Sequence, residues 1–563
     1  MLSRSAYRAS KVIVVSFVLL LVVTCAAPFA ARAQTQTGDT VYRLQGAVED
    51  ALTGKPLPRA LVTSLDRRLA TMTDGEGHFS LLISIPARPQ GVSTPAMGRF
   101  TAFSGPLGAF GSGENLLLIA TKPGYLQPQQ PTMLPLDATL ASNPVELKLM
   151  PAGVIQGSVF TDISDAPFGV RVMLLHRQVQ EGRYQWVQSD MQSTDSRGQF
   201  RFDNLGPGEY TIMSAEWAGD QPLVRPRFEP TRQYPPVFLG NVSGLSEAHK
   251  LQLHNGETLQ TELHLRAATY YPINVPVSPL GSEGGVNVRV LGSDGFNGFR
   301  LGFNARTEAV EGTLPNGAYT LLITHFGPPP SSSAVVPIQV AGRPVRTGPV
   351  ALGPAASISV HIHPELTQQQ GPIQRYLNIF LRPEDQGTPG ASAHGNPEDL
   401  GELTLENVLP GRYFVEAMPS FSGYVASVTS GNVNLFEQPL VVTAGAHPDP
   451  IEVTLRDDFA TLTGAITGFG GAPPRVCSVI LLPTDSSGRL ALGIVVNGRF
   501  TIGDVTPGTY LLVATPHFPQ DIPYRDPEAM RAYAGIGSTV TLIGGQQAHA
   551  DAPFLDQITP KEQ

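Results

Sequence analysis

One phrase occurs four times in this chain and limits what it can fold into. It is clearest as Phe200-Arg-Phe-Asp-Asn-Leu-Gly-Pro-Gly208-Glu-Tyr210-Thr-Ile-Met-Ser-Ala215. Leu403-Thr-Leu-Glu-Asn-Val-Leu-Pro-Gly411-Arg-Tyr413-Phe-Val-Glu-Ala417 and Phe500-Thr-Ile-Gly-Asp-Val-Thr-Pro-Gly508-Thr-Tyr510-Leu-Leu-Val-Ala514 match it closely, and Val310-Glu-Gly-Thr-Leu-Pro-Asn-Gly317-Ala-Tyr319-Thr-Leu-Leu-Ile323 more loosely. The glycines lie 109, 94 and 97 residues apart, a period the size of a domain and too long for a solenoid repeat. Each phrase reads as an alternating strand, a Pro-Gly turn that reverses the chain, and a second alternating strand led by Tyr, that is, a hairpin with one buried face. On this reading Gly208, Gly317, Gly411 and Gly508 are structural turn residues at a positive-φ position.

Two further phrases frame the first. Thr73-Asp74-Gly75-Glu76-Gly77-His78-Phe79, Thr194-Asp195-Ser196-Arg197-Gly198-Gln199-Phe200 and, more weakly, Val496-Asn497-Gly498-Arg499-Phe500 are turns feeding an apolar strand. Asp74 and Glu76 lack the side-chain oxygens of a full calcium loop, so a plain turn is expected there. A polar turn and alternating strand, as in Pro144–Leu149, Gly256–Leu265 and Pro450–Leu455, close each repeat, and a new strand follows at once from Gly153 or Ala460.

These phrases divide the chain into units at about 41–150, 151–268, 269–355, 356–456 and 457–556, after a leader at 1–33. The first unit carries a long loop at 84–114. Composition agrees: 58 Gly and 51 Pro against only 15% charged residues disfavour helical bundles and coiled coils, while 41% hydrophobic residues still supply cores. The expected fold is all-β, a tandem array of β-sandwiches. Because junctions such as Leu149–Gly153 and Leu455–Ala460 are so short, an elongated rod is the expected shape.

Residues 1–33 have the layout of a secretory signal: Arg4, Arg8 and Lys11, an apolar run from Val12 to Val23, then Ala31-Arg32-Ala33 before Gln34. A retained anchor, or lipidation at Cys25, are the alternatives to cleavage after Ala33. Cleavage would remove four cations and no acid, taking the net charge from −9 to −13 and leaving Cys477 as the single thiol. No internal disulfide can then form, so the cores alone must stabilise an exported protein. An acidic chain with no basic run has no electrostatic pull toward nucleic acid or anionic membranes. No integral span is expected in the mature chain.

The pattern Gly46-x-Val48-x-Asp50-x-x-Thr-Gly54-x-Pro56-x-x-x-Ala60-x-Val62, followed by Thr73-Asp74-Gly75-x-Gly77-x-Phe79, resembles the carboxypeptidase regulatory-like domain, a relative of the collagen-adhesin B-type repeat. The resemblance implies a transthyretin-like, seven-stranded Greek-key sandwich, repeated as in bacterial cell-envelope proteins that carry the module without an enzyme.

His254-Asn-Gly-Glu257 has zinc-peptidase spacing but lies in a closing turn, and no stretch remains for the large α/β domain such enzymes need. His361-Ile-His363 points two imidazoles to one strand face, short of a zinc ligand set. Neither a nucleophile elbow nor a phosphate-cradling loop occurs. Adhesin-type isopeptide bonds need a Lys in each unit, and the third, fourth and fifth units have none in their sandwiches. The sequence therefore calls for no cofactor and no catalysis. It reads as an exported, periplasmic, surface or secreted scaffold, spacer or adhesion module for an envelope protein or polysaccharide. The alternative is a carbohydrate-binding protein on a starch-binding-like sandwich, with Trp186, Trp217, Tyr234, Tyr270 and Tyr271 as its ligand-binding aromatics.

Overall fold

The computed structural model describes residues 40–555 except 86–114, 129–130, 136–143, 164–165, 181, 219–228, 279–283, 293–297, 328–330, 368–376, 385–389, 396–401, 421–422, 446, 469–476, 486–487 and 517–521. The leader and the loop at 84–114 thus fall almost wholly outside the described residues. What is described is all-β, ten sheets that face each other in pairs across apolar cores. In the first pair, His78–Ile85, Thr40–Asp50 and Val145–Leu149 form one sheet, and Ala70–Met72, Leu61–Ser64, Asn115–Thr121 and Thr132–Pro135 the other. Leu44, Val48, Phe79, Leu118 and Leu147 fill the space between them. Alternation along each strand is what produces this arrangement: in Val145–Leu149, Leu147 and Leu149 are buried while Glu146 and Lys148 face water.

The same plan recurs. In every pair the opening strand is central, antiparallel to the strand that precedes the corner phrase, or in the first unit to His78–Ile85, and parallel to the closing strand: Thr40–Asp50 with Val145–Leu149, Gly153–Thr161 with Thr258–Leu265, and Ala356–Glu365 with Ile451–Arg456. The third and fifth pairs follow suit, with Ala268–Pro276 beside Val345–Arg346 and Ala460–Thr467 beside Gln547–His549.

The corner phrase is not a hairpin, contrary to the sequence reading. Gln199–Leu205 and Gly208–Ser214 belong to opposite sheets, as do Glu402–Val408 and Gly411–Pro419, and Arg499–Val505 and Gly508–Thr515. The chain arches across the sandwich instead of turning back on itself. The cause lies upstream of Pro-Gly, at Asn204, Asn407 and Asp504, which adopt left-handed φ of 58°, 57° and 53°. Asn and Asp tolerate that conformation better than other side-chain-bearing residues. The ladder register slips at each of these sites, a bulge that steers the strand out of its sheet.

The four glycines begin strands and do not sit inside a hairpin turn, while the expected positive φ holds at Gly208, Gly317 and Gly508, at 154°, 158° and 157°, and Gly411 is not among the positive-φ glycines. What these glycines provide is room. A Cβ on Gly317 would lie 2.9 Å from the Tyr319 hydroxyl, and one on Gly411 3.3 Å from the Tyr413 ring. Through that space Tyr319, Tyr413 and Tyr510 reach back four residues and donate to a backbone carbonyl, of Pro315 at 3.1 Å, Leu409 at 2.7 Å and Thr506 at 2.7 Å, and Tyr210 makes the same bond to Gly206 at 2.9 Å, the ring beside Gly208 being that of His176. The hydroxyl fastens the arch.

The other phrase has an equally local cause. Asp74 Oδ1 accepts the Glu76 and His78 N–H groups, and Asp195 Oδ1 those of Arg197 and Gln199, while Gly77 and Gly198 turn at φ 78° and 72°. The preceding threonines are buried and donate to Leu57 O and Pro167 O. The phenylalanine that follows packs on the glycine directly opposite it in the opening strand: Phe79 on Gly46, Phe200 on Gly157 and Phe500 on Gly464. A Cβ on any of the three would collide with the ring and with a carbonyl oxygen of the closing strand. In the fourth unit this pair is Val360 and Leu403, and in the third Ile273 and Gly312, so bulk on one strand is matched by its loss on the other.

The expected rod is also corrected. The tip of the ribbon formed by Arg171–Gln180 and Arg183–Ser193 in the second unit reaches both the fourth and the fifth. Arg183 Nη2 donates to Phe436 O at 2.7 Å and its guanidinium lies 4.8 Å from the Phe414 ring centroid. Gly182 O accepts the Arg525 N–H at 2.8 Å, and Tyr524 packs on Gly182. Arg489 Nη2 of the fifth unit donates to Ala417 O of the fourth at 3.0 Å. Short junctions constrain neighbouring units only. They leave the chain free to fold back, and a long ribbon with an arginine at its tip supplies the contact.

Candidate functional site

The second and third units are joined by an excursion of the second. After the corner strand Gly208–Ser214, Trp217 and Tyr234 exchange backbone hydrogen bonds, and Thr231–Gln233 adds a strand to the third unit's sheet beside Ala268–Pro276. Gln233 Nε2 donates to Thr313 Oγ1 across the junction at 3.0 Å. The chain then returns through Val237–Phe238, which pairs with Met213–Ser214, and turns at Asn241, φ 60°. Asn241 Oδ1 is fixed there by the His264 N–H at 3.0 Å.

Between this excursion and the third unit lies a cleft of about 740 Å³. Tyr271, Phe299 and Tyr319 give it an aromatic wall, with Phe299 edge-on to Tyr319 at 5.2 Å and 81°. Asn241, Ser243, Ser246, Thr269 and Asn316 line it with neutral polar groups, and Glu247 is the one charged residue among the described lining. No cation stands among the described lining residues, which offer hydrogen-bonding groups beside flat apolar faces. Burial first and then Glu216 push the Tyr319 phenol of the wall up to about 12 and that of the buried Tyr270 behind it further still, so both stay neutral at ordinary pH.

The structure separates the five aromatics singled out from sequence. Tyr271 lines the cleft. Tyr270, its neighbour on the strand, points to the opposite side and is fully buried. Tyr234 is buried with its hydroxyl donating to Asp162 at 2.7 Å, and its ring packs on Trp217 at 5.2 Å. Trp186 packs on a small cluster of Leu175, Met213 and Phe238 outside the main core. Sequence reasoning missed Phe299, Asn316 and the wall at 235–247. Tyr319 and Asn316 sit in the repeat phrase, where they read as turn and core, and the pair Pro235-Pro236 was the only mark of the excursion.

The remaining candidates resolve into local structure. His254 N and Nδ1 both lie at hydrogen-bond distance from Glu257 Oε2, 2.8 and 2.9 Å, closing an exposed turn. Those two bonds hold the Glu257 carboxyl below its usual range. Cys477 is buried, and burial pushes its thiol up, away from the reactive thiolate. Tyr–Asp pairs recur, Tyr125 with Asp50 at 3.1 Å and Tyr424 with Asp458 at 2.7 Å beside Tyr234 with Asp162.

No family model matches the chain, and no curated protein matches it either. Solved structures similar to it include the Bacillus anthracis TIE protein, at 11% identity over 75% of this chain and 69% of that one, with a TM-score of 0.14. A streptococcal ancillary pilin aligns at 10% identity over 56% of this chain and 98% of its own, TM-score 0.19. The shaft pilin of Lactobacillus rhamnosus GG aligns at 12% over 40% and 97%, TM-score 0.18. Superpositions this loose fix neither fold nor role, and the all-β sandwich assignment stands on the sheets and cores described above.

Proposed function

We propose that this protein is an exported, non-enzymatic scaffold of five β-sandwich domains, bounded near 41–150, 151–268, 269–355, 356–456 and 457–556, that presents a surface to an envelope protein or polysaccharide. Its units belong with carboxypeptidase regulatory-like and collagen-adhesin B-type modules on the motif around Gly46, Asp50 and Phe79. The observation that carries the reading is how the units are joined. A strand of the second enters the sheet of the third, and Arg183 ties the second to the fourth. Such ties hold positions, as a scaffold must. The best-placed polar groups also serve structure: the corner tyrosines, the Tyr–Asp pairs and the buried threonines each bind strand to strand or loop. Among the described residues no helix is long and apolar enough to cross a membrane.

The test is fractionation and protease shaving of cells that express the full chain, beside the 34–563 chain as a control. The expected result is leader-dependent recovery outside the cytoplasm, and no turnover by the purified protein of chromogenic ester, peptide, glycoside or phosphate substrates. Retention in the cytoplasm, or a turnover that follows the protein through purification, would contradict the proposal.

One observation favours the second reading, a glycan-binding protein: Tyr271 shares a cleft with Phe299 and Tyr319. On a glycan array, binding that is lost in Tyr271→Ala would establish it, and silence would remove it.

A further inference from the structure

The fivefold repeat serves as an internal alignment. It isolates one cluster that the shared fold does not explain. Counting from the residue opposite the corner-side strand (Gly46, Gly157, Ile273, Val360, Gly464), the next position is Ala47, Ser158, Asn274, His361 and Ala465. Two residues further on stand Glu49, Phe160, Pro276, His363 and Thr467. Nothing in the sandwich plan calls for imidazole at either place, and only the fourth unit has it at both. By contrast the acid beside the first position is widespread: Glu146 faces Ala47, Glu262 faces Ser158 and Glu452 faces His361 across the parallel ladder, and Asp551 accepts the Ala465 N–H.

We infer that His361, His363 and Glu452 form a surface site for a divalent transition-metal ion of the zinc, copper, cobalt or nickel class. Strand alternation puts both histidines on the outer face, since Ile358, Val360 and Ile362 fill the core. The Glu452 carboxylate sits between the rings, Oε1 at 2.9 Å from His361 Nδ1 and Oε2 at 2.6 Å from His363 Nε2. An ionised carboxylate only accepts, so those two nitrogens carry protons in the metal-free state.

The three donor atoms do not all lie within 4.8 Å of one another, so for an ion to bind each ring pivots and offers a lone pair where it now donates, its proton passing to the ring's other nitrogen or, where that nitrogen already carries one, to solvent. Two imidazoles and one carboxylate suit zinc-class ions and not calcium or magnesium, which take oxygen ligands. The three side chains are 38%, 56% and 38% exposed, so an ion can enter and water or an outside ligand can complete its shell. The cation on the same face, Arg456, is already engaged by Asp458 at 2.6 Å and Glu365 at 4.0 Å.

The experiment uses the whole mature chain, stripped with chelator and loaded with Co²⁺ or Zn²⁺. Wild type is expected to retain about one ion equivalent through gel filtration, to show cobalt d–d absorption with nitrogen ligation, and to melt higher with Zn²⁺ than without. In His361→Ala/His363→Ala all three signals should disappear while the metal-free melt stays at the wild-type temperature. Glu452→Gln should weaken retention, and His78→Ala, at the exposed Asp74, Glu76, His78 cluster, should leave it unchanged. Equal retention by the double variant, or loss of the signals in His78→Ala, would overturn the assignment, as would wild type retaining no ion.

Discussion

Replacing Tyr210 with Phe isolates the arch-fastening hydroxyl. The residue is 2% exposed, and its ring stacks on His176 with centroids 4.2 Å apart and 10° between planes, a contact that Phe preserves. Only the 2.9 Å bond to Gly206 O is lost. A hydrogen bond of this kind contributes about 0.5–1.5 kcal/mol net, and a carbonyl stranded away from water costs roughly 1–3 kcal/mol. Gly206 is half-buried, so water can replace part of the bond and the loss should be about 1 kcal/mol. At Tyr413 the bond is shorter, 2.7 Å, and both Tyr413 and Leu409 are buried, so Tyr413→Phe should cost about 2 kcal/mol. The assay uses the chain's two tryptophans, Trp186 and Trp217, which both lie in the second unit, so their emission in urea follows that unit. With a slope of about 2 kcal/mol/M, Tyr210→Phe lowers the tryptophan midpoint by roughly 0.5 M. Tyr413→Phe, in the fourth unit, should move that midpoint by less than half as much and instead lower a separate calorimetric transition. An unchanged midpoint in Tyr210→Phe, or equal tryptophan shifts from both variants, would refute the reasoning.

Three further outcomes follow from other parts of the fold. Gly157→Ala sets a Cβ against the Thr261 carbonyl and 2.9 Å from the Phe200 ring, and should destabilise the second unit by roughly 1–3 kcal/mol in the same urea assay. A wild-type midpoint would mean the strands are not so closely packed there. Burial holds the Tyr210 phenol at about 12, above its unfolded value of about 10, so the stability it contributes is complete below pH ~10 and lost as pH rises toward 12. The tryptophan midpoint should fall over that window and fall less in Tyr210→Phe; a flat profile in wild type would contradict the burial. Arg183→Ala should speed amide exchange near the ribbon tip and around Phe414 and Phe436 while leaving the first unit untouched, and exchange identical to wild type would show that the contact is idle.

Local chemistry was legible in the sequence wherever a residue answers to its own neighbours. Asp74 and Asp195 make the turns expected of Asp followed by Gly, and alternation in Val145–Leu149 sorts core from surface as read. Turn chemistry does not reveal which sheet the next strand joins, and there the reading failed. Pro-Gly suggested a hairpin, whereas the left-handed Asn204 and the bulge beside it carry the chain to the facing sheet. The same limit applies to the site. Tyr271 stood among the aromatics of the carbohydrate-binding alternative, but its partners Phe299 and Tyr319 come from segments remote in the sequence. His361 and His363 read as too few for a metal because Glu452 stands opposite His361 only through a parallel ladder spanning 91 residues.

The central claim is that five sandwiches fold back on one another, with the second against the fourth and fifth. Small-angle scattering on residues 34–563 tests it most directly. A fully compact chain of about 530 residues has a radius of gyration of about 24 Å, and five sandwiches strung in line roughly 50 Å. The contacts at Gly182 and Arg183 predict a value much nearer the first, rising in Arg183→Ala. A radius near 50 Å for the wild-type chain would contradict the account.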